Sequence, residues 1–266
     1  MQDLKITIIQ TNLVWENVDE NLNSFDKQLS QINDKPDLIV LPEEFNTAFS
    51  VKPEKYYEKL DGKTINWMSG KASSMNCVIT GSLIIKENNR YFNTLIWIRP
   101  DGSFDTYNKR HLFRMGKEHL KFSGGTKRLI VDLKGWRICP LICYDLRFPV
   151  WAKNIYKNEN YEYDVLIYIA NWPEIRNHAW KTLLLARAIE NQAFVVGVNR
   201  IGKDGNNISY SGDSAVIDPH GKIISNIKAN QDIFQTISLS YSTLANIRNK
   251  FNAGFDWDNF EISDKI

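Results

Sequence analysis

Ile138-Cys139-Pro140-Leu141-Ile142-Cys143-Tyr144-Asp145-Leu146-Arg147-Phe148-Pro149 reads as a buried strand that breaks sharply at a cysteine and turns into a helix. The two-residue period of a strand puts Cys139, Leu141 and Cys143 on one face. Outward from this break, strand and helix signals alternate along the whole chain. Upstream, Leu4–Thr11 is an apolar, β-branched run, and Leu22, Phe25, Leu29 and Ile32 recur at helical spacing. Asp37–Leu41 is continuously apolar after its first residue and stopped by Pro42, as expected of a strand buried on both faces. Thr64–Ser74 is a weaker helix. Cys77–Ile85 and Arg90–Ile98 flank a hairpin turn, Ser103–Lys109 follows Pro100-Asp101-Gly102, and Arg128–Leu133 with Trp136–Cys143 forms a second hairpin.

Downstream, Pro149–Tyr156 opens as a helix and Tyr163–Ala170 is another buried strand ending in Asn171-Trp172-Pro173. Asn177–Gln192 is a helix, and Phe194–Val198, Gly212–Ile217, Lys222–Ile227 and Asp232–Leu239 are strands. No linker and no fixed-period repeat interrupts the series, which predicts a single α/β domain over residues 1–266, with helices covering packed sheets. The tail, 244–266, carries Phe251, Phe255, Trp257 and Phe260. Four large rings do not belong on a solvated tail, so it is expected to dock on the body or on a partner subunit.

The bulk properties remove several function classes. The 266 residues carry 33 basic and 31 acidic side chains with no basic block, which argues against nucleic acid. No apolar run approaches the roughly 18 to 20 residues needed to span a bilayer. The start, Met1-Gln2-Asp3-Leu4-Lys5, lacks a secretory pattern, so a cytoplasmic location is expected. Three cysteines (Cys77, Cys139, Cys143) are too few for a disulfide scaffold, and the spacing of the last two does not suit zinc.

The chemistry gathers at strand ends. Glu43 follows Leu41-Pro42, and Lys109 sits in Tyr107-Asn108-Lys109-Arg110-His111-Leu112-Phe113. A carboxylate, an ammonium and a thiol, each ending an apolar strand, are the parts of a cysteine amide hydrolase that needs no histidine. A free thiol is mostly protonated at neutral pH. A helix starting after Cys143 and a nearby Lys109 would both favour the thiolate. Cys77 and Cys139 are read as inert core. Glu43 against apolar walls suits a proton shuttle, although adjacent Glu44 is not distinguished from it by its surroundings in the sequence. A papain-like pairing finds no matching motif around His111, His119, His178 or His220.

Taken together, these segments resemble the nitrilase superfamily of carbon–nitrogen hydrolases. Leu41-Pro42-Glu43 is similar to its glutamate motif, which selects Glu43 over Glu44. Tyr107–Phe113 is similar to its lysine motif and Cys143–Pro149 to its cysteine motif. Ala186–Asn191 and Ser211–Gly221 resemble two further signatures. The resemblance implies a four-layer α-β-β-α sandwich, pairing into homodimers, and a catalytic Glu43, Lys109 and Cys143 with a second glutamate at Glu118. It is strongest to the bacterial omega-amidase branch, on His111-Leu112-Phe113-Arg114-Met115 followed by Glu118-His119. That branch implies hydrolysis of the terminal amide of a small-molecule substrate, a 2-oxo-dicarboxylic acid monoamide, through a cysteine thioester. The backbone N–H of Tyr144 would help bind the oxyanion, and no metal or other cofactor is required. Other branches (deaminated glutathione amidase, N-carbamoyl amine hydrolase, nitrilase) and a catalytically silent dimeric interaction protein are the alternatives. For the substrate's far carboxylate, Arg114 is preferred over Arg147, which is read as scaffold, and Asn171 and Trp172 are expected to line the pocket.

Overall fold

The computed structural model describes residues 2–263. Two sheets lie at its centre. The first has the order Ile233–Leu239, Leu4–Gln10, Leu38–Val40, Val78–Glu87, Arg90–Ile98, Phe104–Asn108. The second has the order Ala215–Ile217, Phe194–Asn199, Val165–Ala170, Trp136–Ile142, Val131–Leu133. Inner strands of each sheet run parallel, and antiparallel strands close the edges.

Side-chain alternation builds the layers. Ile6, Ile8, Leu38 and Val40 share one continuous core with Trp136, Ile138, Leu141 and Ile167 of the other sheet. Their neighbours Ile9, Ile39 and Leu41 face the other way and join Phe25, Ile65 and Met68. Each such side chain contributes about 1.5–3 kcal/mol on burial. Helix Val18–Leu29, capped by the Asn17 side chain on the Glu20 N–H, supplies Leu22, Phe25 and Leu29 to that outer layer. Helix Lys63–Met75 adds Ile65, Met68 and Ala72, and stops where Asn76 turns left-handed. On the second sheet, helix Asn177–Asn191 buries Trp180, Leu184 and Ala188. It sits so close that a Cβ on Gly197 would stand 2.5 Å from Leu184 Cδ1. The result is the α-β-β-α sandwich expected from the sequence.

Several expected elements differ. Cys143 is followed by a five-residue 3₁₀ turn, Cys143–Arg147, instead of an α-helix. The helix expected over Pro149–Tyr156 ends at Ala152, and Tyr156–Lys157 pairs with Asn160–Tyr161 as a small ribbon. Lys222–Ile227 is not a strand. It touches the sheet edge by one bridge, Ile217 to Ile223, and the Ser225 hydroxyl accepts the Val216 N–H where a ladder carbonyl would stand. Tyr241–Lys250, placed partly in the tail, is a helix capped by Ser240. Arg248 of that helix reaches Asp164 and the Tyr163 carbonyl, Phe255 packs on Tyr156, and Trp257 on Tyr161. Phe251 and Phe255 nevertheless stay 71% and 73% exposed. Residues 264–266 of the expected tail lie outside the described residues.

Candidate active site

Strand direction concentrates chemistry at one end of the sandwich. Glu43 follows Leu38–Val40, Lys109 follows Phe104–Asn108, Cys143 follows Trp136–Ile142 and Asn171 follows Val165–Ala170. These are carboxyl ends of strands, where open α/β sheets present their ligand sites. Cys143 adopts φ 45°, a left-handed conformation that costs a non-glycine residue of order 1–3 kcal/mol. The turn is held by Asp145. Its Oδ2 accepts the Ile142 N–H at 3.2 Å and the Tyr107 hydroxyl at 2.7 Å. Its Oδ1 accepts the His111 N–H at 3.0 Å and pairs with His111 Nδ1 at 2.8 Å. One buried carboxylate thus fixes the cysteine turn to the segment that carries Lys109.

Lys109 is the hub. Its Nζ lies 2.8 Å from Glu43 Oε1 and 3.0 Å from each oxygen of Glu118, with all three side chains at 1% exposure or less. Glu43 Oε1 also accepts the Asn93 amide at 2.9 Å, and Oε2 accepts the Asn171 N–H at 2.7 Å. The Asn171 side chain donates to the Glu43 carbonyl at 2.6 Å. Glu118 takes the Phe113 N–H at 2.6 Å on Oε2. Glu44 points elsewhere, to the Ser50 N–H at 2.9 Å. The structure therefore separates two glutamates that the sequence left equivalent on physical grounds.

Electrostatics follow from the burial. Burial alone would lower the pKa of Lys109, but Glu118 and then Glu43 outweigh it and raise it well above its usual value. Burial raises Glu118, partly offset by Lys109. The Cys143 thiol is pushed well above the usual cysteine range, first by burial and then by the charge of Glu43, against a smaller opposing pull from Lys109. A helix end and a lysine were expected to favour the thiolate. Here burial and a close carboxylate push the other way, towards the protonated thiol. What the arrangement offers is a neutral nucleophile beside a carboxylate able to take its proton.

A cavity of about 130 Å³ opens over Cys143. Glu43, Lys109, Tyr144, Asn171 and Trp172 line it, whereas Glu118 lies behind Lys109. Trp15, Phe49, Phe113 and Ile208 make its walls apolar. Arg114 does not line it. Arg114 is exposed and faces a neighbouring depression, because the 3₁₀ turn Arg114–Gly116 carries it past the cavity mouth. The cations in the cavity wall, besides Lys109, are Arg147 and Arg176. Arg147 stacks over Trp172 at 5.0 Å and Arg176 over Phe113 at 5.3 Å. Arg147 is thus not confined to the scaffold. Arg176, Asn93 and Asp145 carried no assignment from sequence, since an arginine after Trp-Pro, an asparagine in an apolar strand and an aspartate in a turn have ordinary surface or packing roles. His111 is held by Asp145 and stacks on Phe148 at 3.7 Å, so it forms no pair with Cys143.

Comparison with known proteins identifies the family. The carbon–nitrogen hydrolase family model matches residues 5–248. The chain is 45% identical to the omega-amidase YafV of Escherichia coli K12, over 98% of this chain and 100% of that protein. It is 32% identical to the 2-oxoglutaramate amidase of Bacillus subtilis 168, over 82% of this chain and 84% of that one. The crystal structure of XC1258 from Xanthomonas campestris, described as a CN-hydrolase superfamily protein with an arsenic adduct in the active site, superposes with a TM-score of 0.96 at 42% identity. It covers 99% of this chain and 100% of that one. Yeast Nit3, of the nitrilase superfamily, shares the fold with a TM-score of 0.81 at 23% identity, over 94% and 95% of the two chains.

Proposed function

The chain belongs to the carbon–nitrogen hydrolase family, and within it we propose an omega-amidase that hydrolyses the terminal amide of 2-oxoglutaramate and 2-oxosuccinamate. The observation that carries the chemistry is Lys109 gripped between Glu43 and Glu118, with Cys143 in the same cavity. Glu43 takes the thiol proton as sulfur attacks the amide carbonyl. Lys109 and the Tyr144 N–H, one of the turn's first donors with no intrahelical acceptor, meet the oxyanion. Each such donor is typically worth about 3–4 kcal/mol. Glu43 passes the proton to the leaving nitrogen, ammonia departs, and a thioester remains on Cys143. Glu43 then takes a proton from water, hydroxide attacks the thioester, and the acid leaves as the proton returns to sulfur. Glu118 keeps Lys109 charged and aimed.

Arg147 and Arg176 supply the cations for the distal carboxylate, and planar guanidinium forks suit that task. Arg114, outside the cavity, has no part in it. A homodimer belongs to the same proposal, with the exposed Phe251 and Phe255 rings as surface for a second copy to cover; light scattering on the purified protein reads the mass. So does a cytoplasmic location, in keeping with three free cysteines. The test is ammonia release from 2-oxoglutaramate, 2-oxosuccinamate, glutamine and a simple nitrile in parallel. The two oxo-acid amides are expected to lead, and Cys143→Ala to be inactive but folded. Preference for the nitrile or glutamine overturns the substrate assignment, and turnover by Cys143→Ala overturns the mechanism.

A further inference from the structure

Two short 3₁₀ turns, Arg114–Gly116 and Glu174–Arg176, meet at the rim of the catalytic cavity. Gly116 and Arg176 line the cavity, whereas Met115 lies outside it and is 75% exposed. The Arg176 guanidinium is held from two sides. Its Cζ lies 5.3 Å from the centre of the Phe113 ring, and Nη1 donates to Met115 Sδ at 3.8 Å. Neither neighbour is charged, and a thioether is a weak acceptor, so the guanidinium stays available to an anion in the cavity. The turn that presents Met115 is firmly placed. The Phe113 N–H donates to Glu118 Oε2 at 2.6 Å, and a Cβ on Gly116 would stand 2.7 Å from Phe113 Cδ1. Of the other described methionines, Met68 is fully buried and Met75 is partly covered. The three cysteines are buried, and burial pushes each thiol up, away from the thiolate that oxidants attack. A thioether needs no ionisation, so Met115 is the sulfur most open to an oxidant.

We propose that Met115 is a site of reversible oxidation by peroxide, and that its sulfoxide takes hold of Arg176 and weakens recognition of the substrate's distal carboxylate. The effect on recognition rests on the function proposed above; the oxidation does not. In the step, a lone pair of Sδ attacks one peroxide oxygen, an S–O bond forms and the O–O bond breaks. The proton on the transferred oxygen passes to the departing hydroxide, which leaves as water. The thioether loses two electrons and peroxide gains them. The new oxygen is a strong acceptor on a side chain with three rotatable bonds, beside a guanidinium that already donates to the sulfur. It competes with the substrate carboxylate for the same N–H groups. Methionine sulfoxide reductases reverse the step, so recognition returns with the thioether.

The test uses the Cys143→Ala protein, which has no active-site thiol to oxidise and does not consume its ligand. It is treated with hydrogen peroxide; peptide mass spectrometry reads the added oxygen, and calorimetry reads binding of 2-oxoglutaramate before and after. Met115 is expected to take up oxygen ahead of Met68 and Met75, and the affinity to fall by about fivefold or more. In the same background, Met115→Leu should give no response to peroxide, and Met115→Gln, which supplies an amide oxygen, should bind weakly without treatment. Methionine sulfoxide reductases should restore the affinity of the oxidised protein. Arg176→Ala should bind weakly from the start and lose nothing further on oxidation, which separates an effect through Arg176 from a general disturbance of the rim. Oxidised Met115 with unchanged or tighter binding, or an equal fall in Arg176→Ala, overturns the coupling. Met115 left unmodified while Met75 is oxidised overturns the site. Absence of binding by the untreated protein overturns the substrate assignment and with it the effect on recognition, and the mass measurement still decides the oxidation by itself.

Discussion

Glu44→Gln should make the protein more stable as the pH rises. Glu44 is fully buried, its N–H donates to Ser82 Oγ, one carboxyl oxygen accepts the Ser50 N–H, and the other has no partner. Burial, then the adjacent charge of Glu43, raise its pKa well above the carboxylate range. Unfolded, it titrates near 4.3. A raised folded pKa means that its contribution to stability is complete below the unfolded value and is lost as pH climbs towards the folded one. Between those two values the loss runs at about 1.4 kcal/mol per pH unit. Glutamine has nearly the same shape and no proton to hold. The stability of the variant relative to wild type should therefore grow at about this slope as the pH rises above 5. At about 2–4 °C per kcal/mol for a chain of this size, this is about 3–6 °C in Tm per pH unit. Thermal melts at pH 5, 6 and 7 measure it. Ammonia release should stay near the wild-type rate, whereas Glu43→Gln should lose about 10²- to 10⁴-fold, the usual worth of general acid–base help. A pH-independent difference in Tm, or Glu44→Gln as inactive as Glu43→Gln, would refute the assignment of these neighbouring carboxyls.

Other substitutions follow from the contacts of the cavity and of the segments beside it. Arg147→Ala and Arg176→Ala should each raise KM more than they lower kcat. Loss of a charge-assisted bond of about 1.5–3 kcal/mol means roughly a 10- to 150-fold drop in kcat/KM, and Arg114→Ala should sit near wild type in the same steady-state assay. Asn93→Ala removes a donor to Glu43 Oε1 and should lower kcat by about tenfold or more while the circular dichroism spectrum is unchanged. Gly125→Ala should destabilise by about 3 kcal/mol, read as a fall in Tm, because its Cβ would stand 2.1 Å from the Asn108 carbonyl oxygen, beside Lys109.

What could be read from sequence was whatever a local pattern decides. Asp37–Leu41 and Tyr163–Ala170 announce themselves because strands covered on both faces need unbroken apolar runs, and the strands that form, Leu38–Val40 and Val165–Ala170, start just after the aspartate in each. Lys222–Ile227 misled because the pattern states an ability to pair, not how far the pairing runs; it makes one bridge to the sheet edge, and Ser225 then meets the Val216 N–H with its side chain. The candidate site divides in the same way. Glu43, Lys109 and Cys143 each mark the end of a strand, a visible break. Asn93 lies in mid-strand, opposite Ile84, and its meeting with Glu43, 50 residues earlier, is set only by sheet order. Arg114 was favoured by its place in a motif, yet a single 3₁₀ turn carries it out of the cavity.

Charge balance accounts for a thiol that is pushed towards its protonated form and still suited to attack. Two carboxylates and one ammonium leave the buried cluster of Glu43, Glu118 and Lys109 at minus one. Deprotonating Cys143 outright would make it minus two in a low-dielectric site, which is the sense in which burial and Glu43 raise its pKa. Moving the proton from sulfur to Glu43 leaves the total unchanged. In the proposed cycle the oxyanion of the first adduct replaces the charge that Glu43 has lost. When Glu43 hands its proton to the departing nitrogen, the carboxylate charge returns as the oxyanion collapses. Hydrolysis of the thioester repeats the exchange with water. Each step therefore holds the cluster at minus one, and Lys109 need never release a proton. A lysine so placed acts as a fixed charge, not as a base, so Lys109→Met, which keeps the length and loses the charge, should abolish turnover even at pH 9. Recovery of activity in that variant at high pH would show that a free thiolate can replace the exchange, and would overturn this account of the cluster.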